Sequence, residues 1–361
     1  MTAPSTLAPA SLHASFARQF GAAFRARRED AARYGALHGR LWQHAEQTCR
    51  AGKRIRPHLL LDAYCEMVGD PAGQPAADAT VQVAVAVELL HAAFLLHDDV
   101  LDGDLRRRGM PNLVARMRDD AGSAGGAPGS VQHWGMTGGV LMGDLLLTEA
   151  MLTVARTDVG TEARAALLAL VEHAIVESVA GELMDVAFSD GLAAPDLVEV
   201  LGASTHKTAA YSFELPLRAA GVLAGVDRRG DEQLGRVGRA LGRAFQLQDD
   251  LLSTFGQADL HGKDAFSDLR GGKQTAIIAA ARTTGDWPQI EALLSAPAHL
   301  TDSHAERLSR LLERCGARAF VEALVDDAVT AVRATLDEAE SHALPVAVLG
   351  TLVDRLDGRV T

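Results

Sequence analysis

Residues 92–112 read AAFLLHDDVLDGDLRRRGMPN, an apolar helical run that closes on Asp98, Asp99 and Asp102 and then turns into Arg106, Arg107 and Arg108. Carboxylates at i, i+1 and i+4 crowd one side of a helix, where like charges repel. A hard divalent cation such as Mg²⁺, which takes oxygen ligands, would cancel that repulsion. The planar guanidinium forks behind the acids suit phosphate oxygens. Upstream, Glu88, His91, Leu95, Asp98 and Asp102 follow one another at steps of three and four. A polar stripe on an otherwise apolar helix is expected to face a cavity rather than bulk water. The bland alternative is a solvated helix end.

The chain has 361 residues, 48% of them hydrophobic and 4% aromatic, with Ala as the abundant small residue. Alternating β-type segments are scarce, so the expectation is all-α: a short flexible tail over residues 1–10, then a single large helical domain over residues 11–361. A net charge of −12 argues against nucleic acid as a general partner. The cations are instead gathered locally, at Lys53-Arg54-Ile55-Arg56 and at Arg106 to Arg108. Cys49, Cys65 and Cys315 are few, odd in number and widely spaced, which points to a cytoplasmic chain without disulfides or zinc. The N-terminus lacks the charged-then-apolar order of a signal peptide. The most apolar run, Val81 to Leu96, is read as too short to span a bilayer, so no transmembrane segment is expected.

Periodicity places helices from about Ser11 to Ala51, Pro57 to Val68, Ala79 to Asp102, Thr137 to Ala155, Thr161 to Phe188, Asp196 to Ala203, Lys207 to Ala224 with a kink at Pro216, and Asp231 to Thr254. Ala121 to Ser130 reads as a flexible surface insertion and Gly256 to Gly272 as a polar loop. Amphipathic helices, four or so, follow from Lys273.

A second acidic pair, Asp249-Asp250, lies 151 residues after Asp98-Asp99 and also ends an apolar helix. Gln246, Asp249, Asp250 and Ser253 share a face there. Two such faces are expected to stand opposite each other across a cavity and to hold cations between them. Lysines accompany the second pair: Lys207-Thr208 before it, then Gly262-Lys263 and Asp268-Leu269-Arg270-Gly271-Gly272-Lys273 after it. Each lysine alone reads as a solvated loop residue; the joint order of acids and Gly-flanked lysines does not.

With these segments in hand, the chain resembles the trans-isoprenyl diphosphate synthases of the polyprenyl synthetase group. Gly52 to Pro57 matches that family's GKRxRP, and His97 to Asp102 its HDDxxD. Arg107-Arg108-Gly109 matches RRG, Gly143-Asp144 a GD element, and Lys207-Thr208 a KT element. Phe245-Gln246 with Asp249-Asp250 matches FQxxDD, and Gly262-Lys263 and Asp268 to Lys273 match GK and DLxxGK. The resemblance implies a large helical bundle around a deep central cavity, a homodimer, and Mg²⁺ ions, three to a site. It implies an allylic diphosphate held through Mg²⁺ by Asp98, Asp99, Asp102 and Asp249, with Asp250 behind. Arg107, Lys207, Lys263 and Gln246 would touch that diphosphate, with Thr208 and Lys273 beside it. Isopentenyl diphosphate would be held without metal by Lys53, Arg56, His91 and Arg108. No Ser or Cys nucleophile is arranged or needed.

Three positions depart from the common pattern: Ser253 where a third Asp is frequent, Glu182 where Gln is usual, and Asn112 where Thr is frequent. Ser253, with Gln257 after it, nearly spells a class I terpene cyclase motif. A cyclase, however, has one diphosphate and would leave Lys53, Arg56 and Arg108 without a task. An HD-type metal phosphohydrolase would leave the second Asp pair and Arg107-Arg108-Gly109 unexplained. In this family the residues one turn before the first acid form the floor under the product tail; here they are Ala93 and Phe94. Bulky Phe94 implies a short product, C20 first and C15 next.

Overall fold

The computed structural model describes residues 9–71, 74, 76–255, 266–295, 301–337 and 344–357. Lys263 and Gln257 lie outside them. The described residues are mostly helical, as expected, and the one sheet among them is a hairpin of two-residue strands, β1 (Arg106–Arg107) and β2 (Met110–Pro111). Chain contacts divide the protein into two compact units, one up to Val171 together with Pro216–Val226, the other Glu172–Leu215 together with Asp227 onward.

The first unit begins with α1 (Ala10–Ala31) and α2 (Ala36–Cys49). The single helix expected over 11–51 is broken at Gly35, whose φ of +97° is open to glycine at no steric cost. Phe16, Phe20 and Phe24, one turn apart on α1, pack ring against ring in series, stacked at 5.8 Å and then edge-on at 5.3 Å, and Phe24 meets Trp42 of α2 edge-on at 6.2 Å. Then come α3 (Ile55–Val68) and α4 (Ala77–Leu101). From Ala79 to Ala93 every residue of α4 but Gln82 is buried. A helix buried on every side, mostly apolar apart from Glu88 and His91, belongs inside a unit, and α6 (Pro128–Arg156), α3 and α1 pack on it.

Glycines bring α6 close to α4. A Cβ on Gly143 would lie 2.2 Å from Nε2 of His97, and one on Gly139 2.4 Å from Val100 Cγ2. Next to Gly143, Asp144 lies 3.3 Å from the same His97 nitrogen. Gly143→Ala should therefore lower stability by about 1–3 kcal/mol through overpacking. Urea unfolding measures this; an unchanged midpoint would contradict the close packing.

The flexible insertion expected over 121–130 is mostly helix: α5 (Leu113–Ser123) and α6 leave only 124–127 between them. Asn112, where Thr is frequent, caps α5. Its Oδ1 accepts from the Ala115 N–H at 2.9 Å, and its Nδ2 donates to the Asp104 carbonyl at 2.7 Å. Asn is as good a cap as Thr and adds a donor. The length argument against a membrane span also changes. Helices α4 and α6, at 25 and 29 residues, are both long and apolar enough to cross one by length and composition, although the relevant window of α4 is 83% buried in the fold.

The second unit holds most of α7 (Thr161–Ser189), then α8 (Leu197–Ser204), and a wide π-helical segment over Thr205–Glu214 that runs into α9 (Leu215–Ala224). The kink expected at Pro216 thus appears as ten residues of widened helix before it. Widened turns absorb a proline's lost N–H and recur at functional sites. Asp196 starts α8 with a full capping box, exchanging bonds of 2.9 Å with Glu199. The long α10 (Arg228–Phe255) buries Leu234, Val237, Leu241, Ala244, Leu247 and Leu251, steps of three and four along one face. Helices α11 (Ser267–Arg270), α12 (Ala276–Ala281), α13 (Trp287–Leu294), α14 (Asp302–Arg314), α15 (Ala317–Asp337) and α16 (Val346–Asp357) complete the unit, with α10 packed along α15.

Candidate active site

In the first unit, the C-terminal end of α4 meets the hairpin. Arg108 and Gly109, the two residues of its tip, have φ of +54° and +74°, both positive as a type I′ turn requires. This tight reversal folds Arg107 back onto the acids. Its Nη2 donates to Asp98 Oδ2 at 2.9 Å and its Nε to Asp99 Oδ1 at 2.8 Å. Asp99 is fully buried, and burial pushes its carboxyl up to about 6 against the downward pull of Arg107. Asp98 is half-buried, and Asp102 stands exposed at the helix end, its N–H donating to the Asp98 carbonyl at 2.8 Å.

A pocket of about 210 Å³ opens beside this bridge, lined among others by Arg54, Glu88, His91, Asp99, Arg107 and Arg108. The stripe read on α4 does face a pocket, through Glu88, His91 and Leu95. His91 is buried, and its pKa is held well below 6.5 by burial first and then by Arg56, Arg108, Arg107 and Arg54. It is neutral at pH 7 amid four arginines. Arg108 departs from Arg107: its guanidinium donates to the Ala51 carbonyl, against Gly52. Lys53 is exposed on the same turn. Ala93 is fully buried on α4 and Phe94 half-buried.

In the second unit, the π segment presents Lys207 and Thr208. Gly181 of α7 lets the segment's backbone approach so closely that a Cβ there would lie 2.2 Å from the Lys207 nitrogen. Lys207 Nζ pairs with Asp185 at 2.7 Å and Glu182 at 2.9 Å. Glu182, where Gln is usual, is thus a charge partner for Lys207. Thr208 donates to Gln246 Oε1 at 2.8 Å, and Gln246 Nε2 donates to Asp250 Oδ1 at 2.9 Å. Asp250 is buried and Asp249 half-buried. Ser253 is buried and its hydroxyl donates to the Asp268 carboxylate. A third Asp at 253 would instead set two carboxylates together. Lys273 follows α11, its N–H on the Asp268 carbonyl at 3.0 Å.

No three His, Cys, Asp or Glu side chains among the described residues already stand close enough to hold a metal ion. The donor set nevertheless suits Mg²⁺. Asp98 and Asp99 are hard oxygen ligands converging on one cation, Arg107, where a divalent ion would satisfy the same charges. Sequence reasoning assigned nothing to Arg54, Glu88 or Asp185. Glu88 carried a signal, its place on the polar stripe. The other two depend on which way the chain turns.

Paired acids beside a cation-lined pocket, on an all-helical scaffold, are the groups that a phosphorylated substrate would need. The polyprenyl synthetase family model matches residues 38–313, and the chain belongs to that family. It is a prenyltransferase. A short chain isoprenyl diphosphate synthase of Methanocaldococcus jannaschii is 31% identical over 67% of this chain and 66% of its own. A geranylgeranyl diphosphate synthase of Mycobacterium tuberculosis is 30% identical over 82% of this chain and 79% of its own. The crystal structure of geranylgeranyl pyrophosphate synthase from Corynebacterium glutamicum, complexed with isoprenyl diphosphate and magnesium, superposes with a TM-score of 0.85 at 25% identity, covering 95% of this chain and 96% of that one. Further relatives are named for farnesyl and geranylfarnesyl products, so the family sets the reaction and leaves product length open.

Proposed function

We propose that this chain condenses isopentenyl diphosphate with an allylic diphosphate of C5 to C15, using Mg²⁺, and that its product is all-trans geranylgeranyl diphosphate (C20), with farnesyl diphosphate next. The observation that carries the reading is the pocket on α4, where Asp99, bridged with Asp98 to Arg107, stands at the acidic end and Arg107 and Arg108 flank neutral His91 on the wall. One diphosphate would need only one of these ends.

The metal-binding carboxylates are Asp98, Asp99, Asp102 and Asp249, with Asp250 behind, and the number of ions is three. Mg²⁺, when bound, neutralises the allylic diphosphate and makes it a leaving group. Arg107 turns from the carboxylates to the diphosphate oxygens, and Lys207, Gln246, Lys263 and Lys273 add donors to the departing anion. Lys53, Arg56, His91 and Arg108 hold isopentenyl diphosphate by charge and hydrogen bonds. The isopentenyl double bond attacks the allylic cation, the new C–C bond forms, and a proton leaves for the released diphosphate. Apolar walls keep water from the cation.

Phe94 is the floor of the product cavity. Phe94→Ala should lengthen the main product by one or more isoprene units, read by chromatography of the dephosphorylated products; an unchanged profile would remove Phe94 from that role. Met136, Val140 and Leu141 of α6 and Val176, Val179 and Leu183 of α7 are exposed apolar side chains. They support a homodimer that covers them. The three free cysteines are in keeping with a cytoplasmic enzyme. The test of the reading is incubation with labelled isopentenyl diphosphate, Mg²⁺ and C5, C10 or C15 starters, followed by chain-length analysis. Label should enter a C20 product from each; no incorporation from any starter would overturn it.

A further inference from the structure

Arg54 is the one cation of the Gly52–Pro57 turn that the proposed chemistry leaves without a task. It sits at φ +53°, in the left-handed region, as the residue preceding α3. For a side chain with a Cβ this conformation costs about 1–2 kcal/mol, so the surroundings must hold it there. They do. The Arg54 side chain is 16% exposed. Its Nη1 donates to the Glu88 carboxylate, and its Nη2 to the carbonyls of Cys49 and, at 3.0 Å, Arg50. The Phe20 ring stacks on the guanidinium, 4.5 Å from its carbon to the ring centroid. Three of the five N–H donors are thus spent on protein acceptors, so the fork is built to hold protein rather than ligand.

What it holds is informative. Cys49 and Arg50 close α2. Glu88 is buried on α4, one turn before His91. The backbone of Arg54 lies between Lys53 and Arg56. Arg108 clamps the same turn from its other side, on the Ala51 carbonyl, and Gly52 leaves it room: a Cβ there would lie 2.9 Å from Arg108 Nη1. We infer that Arg54 is a positioning residue for the metal-free diphosphate, a buried fork that locks the Lys53–Arg56 turn to α4 at the level of His91. The left-handed backbone is the means. It turns one cation of the cluster inward, while Lys53 stays exposed.

This role rests on the proposed condensation, and its test separates the two. Arg54→Lys keeps the charge and loses the fork; Glu88→Gln keeps the shape and loses the charge partner. Calorimetric titration with isopentenyl diphosphate, without metal, is combined with steady-state kinetics on both substrates. Arg54→Lys should weaken isopentenyl diphosphate binding and raise its KM by roughly tenfold, the scale of a small misplacement of binding groups, while KM for the allylic substrate stays unchanged. Glu88→Gln should move the same constant in the same direction, and the double variant should be no worse than the worse single one, because both remove one interaction. Unchanged binding in both variants would overturn the role. So would equal rises in both KM values, the mark of a general structural defect. Wild type that binds isopentenyl diphosphate but condenses nothing would overturn the proposed reaction and leave the titration to decide on Arg54. Wild type that does not bind it would overturn both.

Discussion

Asp98→Ala and Asp249→Ala should each lower kcat by about two to three orders of magnitude, the loss typical when one pre-set stabiliser of a developing anion is removed. Diphosphate leaves an allylic carbon only when its charge is neutralised, and these carboxylates are the proposed anchors of the neutralising ions. The fold should tolerate both changes. Asp98 and Asp99 share Arg107, so removing half-buried Asp98 leaves the buried acid paired. Circular dichroism and melting should therefore stay near wild type while turnover falls. Near-normal turnover in either variant would remove that carboxylate from the chemistry.

Arg107→Ala should cost stability as well as turnover. It strips the guanidinium from Asp99, which is fully buried. Breaking a buried pair from one side costs about 3–5 kcal/mol, and the 26% exposure of Arg107 argues for the lower end, about 3. The pH dependence has a definite sign. Asp99 already has its pKa raised from 3.8 to about 6. A carboxyl raised in the fold favours folding while protonated, and that contribution is lost as pH rises from below 3.8 through 6. Without Arg107 the folded value climbs further, so the penalty of the substitution should be small at pH 5 and full at pH 8. Mg²⁺ should restore part of the loss at pH 8, since it can replace the missing positive charge. Urea unfolding at the two pH values, with and without Mg²⁺, measures all of this. An equal penalty at both pH values, or no response to the ion, would contradict the pairing.

The acids, the arginine pair and the Gly52–Pro57 turn were legible because each is local: short segments whose residue types and spacing state their chemistry. The stripe of Glu88, His91 and Leu95 was legible because helical period alone puts it on one face. Arg54 was not, since its inward direction depends on one left-handed φ that no composition rule assigns to an arginine. Nor were the acid partners of Lys207, since Glu182 and Asp185 reach it only through the close approach of α7 to the π segment at Gly181. The break at Gly35 was missed because helical periodicity continues on both sides of it. The stretch 121–130 was misread because its Gly and Ser content outweighed a proline that starts α6 and small residues that helices also accept.

The central claim is that the acidic and cationic ends of the α4 pocket serve two substrates in one condensation. The most direct test is release of inorganic diphosphate with each substrate alone and with both, in the presence of Mg²⁺ and of chelator. Release only when allylic and isopentenyl diphosphates are both present with Mg²⁺ is the predicted result. Release from the allylic diphosphate alone, as a cyclase or a phosphohydrolase would give, would contradict it.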